Sequence, residues 1–306
     1  MEQLNEAIFR AYDIRGVVPS EFNADVGYRI ARAFASPSAT IVVGRDMRAT
    51  SPEIVEAVIR GVCDSGGHVV DVGLVSTPTF YYAVRATPCA GGLQITASHN
   101  PPEYNGLKLV RRTPDGAIIK IGRGSGMEEL RDAVRAGTPT PEAVRGARDT
   151  ATGIVEREVD TALRGVPLET VPPLRIVADA ANGMGALYLD ALRTRLSLSM
   201  ERMYFDLDGS FPNHPPDPLR VETLVDLQAR IRSTHADLGI ATDGDGDRLF
   251  FLDERGEVIP ASLTTSLVAS ELLREHPGER VLVDVRYMRN AAAAIRAAGG
   301  VPLTSS

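Results

Sequence analysis

Three aspartates separated by single glycines, Asp243-Gly244-Asp245-Gly246-Asp247, run into Arg248 directly after the apolar stretch Leu238-Gly239-Ile240-Ala241. Alternate residues of a near-extended segment project to one side, so this spacing predicts three carboxylates converging on one point. The glycines permit a tight curve and close backbone approach. Three converging anions repel one another unless a cation neutralises them. An all-oxygen set without His or Cys suits a hard ion, magnesium first. Other readings fit part of the pattern. Asp243, Asp245, Asp247 and Glu254 match positions 1, 3, 5 and 12 of a calcium-binding EF-hand loop, but position 6 calls for Gly and holds Arg248, and the flanks read as strands. A phosphatase working through an aspartyl-phosphate also places Asp-x-Asp after a strand. A solvated acidic turn is the purely structural alternative.

A second string, Thr96-Ala97-Ser98-His99-Asn100-Pro101-Pro102, leads into Tyr104-Asn105-Gly106-Leu107-Lys108. It begins where a strand ends, the place where open α/β sheets bind ligands. Adjacent residues on an extended loop point apart, so Ser98 and His99 are not expected to form a hydrolase-type couple. No Gly-x-Ser-x-Gly elbow surrounds the serine either. Near the N-terminus, Phe9-Arg10-Ala11-Tyr12-Asp13-Ile14-Arg15-Gly16 offers a tyrosine and two arginines suited to clamping an anion, or simply an exposed edge strand. Gly122-Arg123-Gly124-Ser125-Gly126 has the spacing of neither phosphate-binding fingerprint and reads as a surface loop.

The elements that would position these strings alternate between short β-branched runs and longer helical patterns. Strands are expected at Thr40–Gly44, His68–Val72, Gly91–Thr96 and Leu107–Val110. A helix is expected over Ser51–Asp64, with Ser51 as N-cap before Pro52, and another after Thr77-Pro78. Residues 111–150 are rich in Arg, Gly, Thr and Pro, with one helical stretch at Met127–Arg135. The rhythm resumes with strands at Leu174–Asp179 and Leu238–Thr242 and helices at Met184–Leu196 and Val221–Thr234. A third pass has helices at Leu263–Arg274 and Arg289–Ala298 around a strand at Arg280–Asp284, and Val301-Pro302-Leu303 starts another strand. The fold class expected is α/β, as tandem repeated α/β domains with mixed, mostly parallel sheets. The expected domains span residues 1–150, 151–258 and 259–306, the last incomplete because so short a sheet cannot bury two faces.

Composition narrows the function classes. The 306 residues carry 33 basic and 40 acidic side chains, for a net charge of −7. An acidic chain without a basic stretch argues against a nucleic-acid or anionic-membrane surface. No signal peptide opens the sequence and no apolar run is long enough to span a bilayer. Cys63 and Cys89 form no CxxC pair and are expected as thiols in a reducing cytoplasm.

Taken together, FRAYDIRG from Phe9, ITASHNPPEYNGLK from Ile95, FPNHPPDP from Phe211 and TDGDGDR from Thr242 resemble, in order and spacing, the α-D-phosphohexomutase superfamily in its phosphomannomutase/phosphoglucomutase branch. The resemblance covers nearly the whole chain. It implies that Ser98 carries a phosphoryl group and passes it to a hexose. It implies that Asp243, Asp245 and Asp247 hold Mg2+ with an oxygen from the phosphorylated Ser98, and that Arg248 lies beside them. Tyr12, Arg15, His99, Asn100 and Lys108 match positions lining the reaction centre, Lys108 and Arg15 being expected to steady the phosphoryl group or assist proton transfer. The implied reaction interconverts hexose 1-phosphate and 6-phosphate of mannose or glucose through a 1,6-bisphosphate, with glucose or mannose 1,6-bisphosphate as activator. The sequence does not choose between the sugars or set an oligomeric state.

Two departures qualify what the resemblance implies. The family has four domains, and neither a Gly-Glu-x-Ser-Gly-His sugar loop nor the fourth, phosphate-gripping domain is found in these residues. Little turnover is therefore expected from them alone, and a truncated, non-catalytic remnant is the alternative. In Asp284-Val285-Arg286, Arg286 stands where relatives often carry Lys, which keeps the charge and changes its geometry.

Overall fold

The computed structural model describes residues 4–137, 142, 144–196, 198–285 and 288–305. The first unit comprises β1 (Ile14–Val17), α1 (Ala24–Phe34), β2 (Thr40–Arg45), α2 (Ser51–Asp64), β3 (His68–Leu74), α3 (Thr77–Ala86), β4 (Gly91–Ile95), β5 (Tyr104–Arg112), β6 (Ile118–Lys120), α4 (Met127–Ala136) and β7 (Arg148–Thr150). Its sheet runs β1-β5-β4-β2-β3-β7, with β6 paired to β5. The pairs β2–β3, β2–β4 and β3–β7 are parallel, and β5 is antiparallel to β1, β4 and β6.

The period of two along a strand accounts for the two cores. Ile41 and Val43 of β2 point to one face and join Leu93, Ile95, Leu107 and Leu109 beneath α1, α2 and α4. Val42 points the other way, onto Phe80 and Val84 of α3. Both faces are covered, which is why β2 reads as a nearly continuous apolar run. The helix expected at Ser51–Asp64 forms, but Ser51 is not its cap: Thr50 holds that position, and Ser51 Oγ donates instead to Asp46 Oδ1 at 2.6 Å. Helix α1 was not foreseen, although Asn23 caps it by accepting from the Val26 amide at 3.0 Å.

After α5 (Ile154–Ala162), the second sheet is built from β8 (Arg175–Asp179), α6 (Gly185–Leu196), β9 (Ser199–Met203), α7 (Val225–Thr234), β10 (Leu238–Thr242) and β11 (Leu249–Leu252). The order is β11-β10-β8-β9, with β10–β8 and β8–β9 parallel and β10–β11 antiparallel. Leu227 and Ile231 of α7 cover one face against Val177, Ala241 and Leu252, while Leu189 of α6 covers the other against Ile176, Ala178 and Ile240. The helix expected from Val221 begins as a 3-10 turn at Val221–Leu224 and becomes α-helical only at Val225.

The third group is α8 (Ala261–Glu275), β12 (Arg280–Asp284), α9 (Met288–Ala297) and β13 (Val301–Ser305), the two strands pairing in parallel. Ala269, Leu273, Val283, Ala291 and Ile295 form its core, while Leu267, Leu272 and Leu282 are exposed. No helix among the described residues is long and apolar enough to cross a membrane.

Candidate active site

The C-terminal ends of β4 and β10 bring the two principal motifs together. Ser98 is buried and left-handed, at φ +51°, with its amide donating to Thr96 Oγ1 at 2.9 Å. That conformation turns the hydroxyl outward, where it donates to Asp243 Oδ2 at 3.0 Å. It also overturns the expectation that Ser98 and His99 point apart. Because the backbone bends rather than extends, Ser98 Oγ and His99 Nδ1 lie 3.3 Å from each other. Burial, together with Arg248 and Arg15, holds the His99 pKa below its usual value, which favours the neutral ring.

The aspartates converge, though by a different route from the one expected. Residues 243–248 form a tight turn rather than an extended run: the Gly246 amide donates to the Asp243 carbonyl at 3.1 Å, and Gly246 has φ +74°. One carboxylate oxygen from each of Asp243, Asp245 and Asp247 lies within 4.8 Å of the others. Gly244 lets this turn touch the serine loop, since a Cβ there would sit 2.4 Å from the Ser98 carbonyl oxygen.

Cations surround the acidic cluster. Lys108 Nζ donates to Asp245 Oδ2 at 2.6 Å and to Asp247 Oδ2 at 2.5 Å. Burial alone would lower the Lys108 pKa, but these two carboxylates outweigh it and keep the ammonium charged. Arg248 Nε donates to Asp243 Oδ2 at 2.9 Å, and its Nη1 donates to Asp217 Oδ1 at 3.0 Å. Asp243 is raised by burial and by Asp245 and Asp247, with Arg248 opposing. Asp245, also penalised by burial, is nevertheless held low by Lys108.

Arg15 reaches the serine loop from β1, donating to Asn100 Oδ1 at 2.5 Å and to the Ala97 carbonyl at 3.2 Å, with Asp13 behind it. Tyr12 is 82% exposed, and no side-chain hydrogen bond ties it to the other described residues. Arg286 lies outside the described residues.

The comparisons with known proteins agree with this geometry. Residues 6–120 match the family model described as phosphoglucomutase/phosphomannomutase, alpha/beta/alpha domain I, and residues 159–256 match the corresponding domain II. A protein of Salmonella montevideo named phosphomannomutase is 36% identical over 310 residues, covering 98% of this chain and 67% of that protein. The chain belongs to the phosphoglucomutase/phosphomannomutase family. Phosphohexose mutases of Xanthomonas campestris pv. campestris are 37% identical over 96% of this chain and 65% of their own length. The chain thus spans about two thirds of the length of the curated relatives it matches. A solved phosphoglucomutase/phosphomannomutase family structure from Burkholderia thailandensis superposes with a TM-score of 0.89 at 36% identity, covering 99% of this chain and 66% of that one. The similarity runs through both motif-bearing sheets.

For this member of the family, the donor set fits a hard divalent cation. Asp243 and Asp245 are wholly buried, and Asp245 Oδ1 has no hydrogen-bond partner among the described residues. A buried carboxylate oxygen in that position is the kind of group that a metal satisfies.

Sequence reasoning missed several supporting residues. Thr77, the first residue of α3, donates to Asp245 Oδ2 at 2.5 Å. Asp179, at the end of β8, faces His214 Nε2 at 3.0 Å and so ties down the segment that also carries Asp217. Arg48 is buried against the serine loop. A polar residue at the end of a buried strand was the available signal in each β-strand case.

Proposed function

We propose that this chain carries the phosphoryl-transfer machinery of a phosphohexomutase. It would interconvert mannose or glucose 1-phosphate and 6-phosphate through a phosphorylated Ser98 and a hexose 1,6-bisphosphate. The observation that carries this reading is the Ser98 hydroxyl, 3.0 Å from Asp243 within a cluster of three carboxylates and a buried lysine. A solvated acidic turn would have no reason to aim a buried serine at its carboxylates.

Asp243, Asp245, Asp247 and an oxygen on Ser98 would hold magnesium, which when bound neutralises charge on the transferring group. The chain's own residues do the positioning. The left-handed backbone at Ser98 presents Oγ to the cleft; its proton rests on the Asp243 Oδ2 side, and His99 Nδ1, 3.3 Å away, is an alternative acceptor for it in the Nε2–H tautomer. Arg15, through Asn100 and the Ala97 carbonyl, fixes the loop while leaving a cation beside it. Lys108 places a second cation between Asp245 and Asp247, where it can steady phosphoryl oxygens. Hexose 1,6-bisphosphate, as donor, transfers one phosphoryl group to Ser98 Oγ and leaves as the monophosphate. The free thiols of Cys63 and Cys89 suit a cytoplasmic setting.

The test is intact mass after incubation with magnesium and glucose 1,6-bisphosphate, with a Ser98→Ala control. Gain of one phosphoryl group on the parent and none on the control supports the reading. A folded parent that gains nothing overturns it for this chain.

A further inference from the structure

Arg48, three residues beyond the end of β2, has a fully buried side chain. Its guanidinium is the hub of the serine loop. Nη2 donates to the carbonyls of Ser98 at 2.9 Å and Asn100 at 2.6 Å, and Nη1 to those of Pro101 at 2.7 Å and Tyr104 at 2.9 Å. Pro101, Pro102 and Glu103 are exposed, yet the loop turns its carbonyls inward around this one cation. Asp46 balances the charge with an ion pair to Nε at 3.3 Å, and its Oδ1 accepts from the Arg48 amide at 3.0 Å.

The guanidinium also connects the two sheets. Its Cζ lies 5.2 Å from the ring centroid of Phe211, on the segment that carries Asp217. Asp217 holds Arg248, Arg248 holds Asp243, and Asp243 accepts the Ser98 hydroxyl. The contacts therefore close a ring around Ser98, whose carbonyl is fixed from behind and whose hydroxyl is fixed in front. Only a planar fork reaches four carbonyls at once, and a lysine ammonium cannot.

We propose that Arg48 is the positioning residue that holds Ser98 in its reactive, left-handed conformation and couples that conformation to the Phe211–Asp217 segment of the second sheet. This rests on the reading of Ser98 as the phosphoryl acceptor. Arg48 touches no reacting atom, and it acts through the backbone of residues 98–104.

Arg48→Lys separates positioning from general stability. The variant is compared with the parent by residue-resolved hydrogen exchange and by the rate of Ser98 phosphorylation from glucose 1,6-bisphosphate. Exchange at the Ser98, Asn100 and Tyr104 amides is expected to quicken at least about tenfold, with β4 and β10 unchanged. Misplacement of the hydroxyl by a fraction of an ångström to an ångström is expected to slow transfer by about 100-fold. The half-saturating bisphosphate concentration should stay within about threefold of the parent, because the change affects orientation rather than binding. A folded Arg48→Lys chain with parental loop exchange and parental rate overturns the proposal. If the parent itself takes no phosphoryl group, the phosphoserine reading fails, and the exchange comparison alone still decides the role of Arg48. If Arg48→Lys does not fold, the parent decides: loop amides exchanging as slowly as those of β4 support the cage, and fast local exchange there refutes it.

Discussion

Replacing Lys108 with methionine tests whether the acidic cluster is built for a divalent cation. Among the described residues, Lys108 and Arg248 are the cations in contact with Asp243, Asp245 and Asp247. The Lys108 side chain is 12% exposed, Asp245 0% and Asp247 27%, so water screens the Lys108–Asp245 contact little and the Lys108–Asp247 contact partly. Breaking a buried pair by removing one partner costs about 3–5 kcal/mol, and the partial exposure of Asp247 places the expected loss near the lower end, about 3 kcal/mol. Methionine keeps the apolar stem and so isolates the charge.

The same change leaves the cluster more negative and should strengthen its hold on magnesium. A ligand that binds only the folded state stabilises it by about 2.7 kcal/mol at 100 times its Kd. A tenfold gain in affinity adds about 1.4 kcal/mol. Urea unfolding of the parent and Lys108→Met, each with and without magnesium, gives both quantities from one set of curves. The variant should be about 3 kcal/mol less stable without metal. Magnesium should then return at least about 1.4 kcal/mol more to the variant than to the parent at the same concentration. The reasoning fails if magnesium stabilises Lys108→Met no more than the parent, or stabilises Asp245→Asn as well as the parent.

Further outcomes follow from the surrounding structure. His214 offers Nδ1 to the Pro215 carbonyl at 2.9 Å and Nε2 to Asp179 at 3.0 Å; burial opposes its charge, but Asp179 raises its pKa above the ordinary 6.5. Its stabilising contribution is therefore complete below pH 6.5 and is lost as pH rises through the raised value, so the parent's urea midpoint should fall more steeply across that window than that of His214→Gln. Parallel curves for the two proteins would refute this. Gly244→Ala forces a Cβ to 2.4 Å from the Ser98 carbonyl oxygen, and should cost about 1–3 kcal/mol and abolish stabilisation by magnesium. An unchanged magnesium effect would show that the close approach of the two loops is dispensable. Phe80→Ala, emptying a wholly buried site under β2, should cost about 3–5 kcal/mol yet leave the magnesium increment intact in urea curves, because it lies outside the cluster. A lost increment would tie the metal site to the core of the first sheet.

Which parts of this architecture can be read from sequence depends on where each residue's partners lie. Strands β2, β4, β8 and β10 are legible because apolar residues recur on buried faces, and the carboxylates of Asp243, Asp245 and Asp247 because their neighbours are in the same string. Strand β9, Ser199–Met203, shows no such pattern because it is an edge with one partner, β8. Helix α1, by contrast, is legible too, since Val26, Ile30, Ala33 and Phe34 recur at helical spacing behind the Asn23 cap. The turn that gathers the aspartates reads as an extended run, because glycine at alternate positions permits both. Ser98 and His99 look unrelated for a similar reason, since nothing in the two residue types announces a left-handed φ at the first. Arg48 is the most instructive case. Following a strand, it reads as a solvated charge, and its burial is explained only by four carbonyls that arrive with residues 98–104. Backbone carbonyls carry no residue-specific signal, so a side chain that binds them is invisible to motif reasoning even where it holds the motif in place. Thr77 is hidden by a related circumstance, because its partner Asp245 lies 168 residues away. The residues that do chemistry here could be found from local spacing, whereas those that orient them required the fold, because their partners are backbone groups or distant segments.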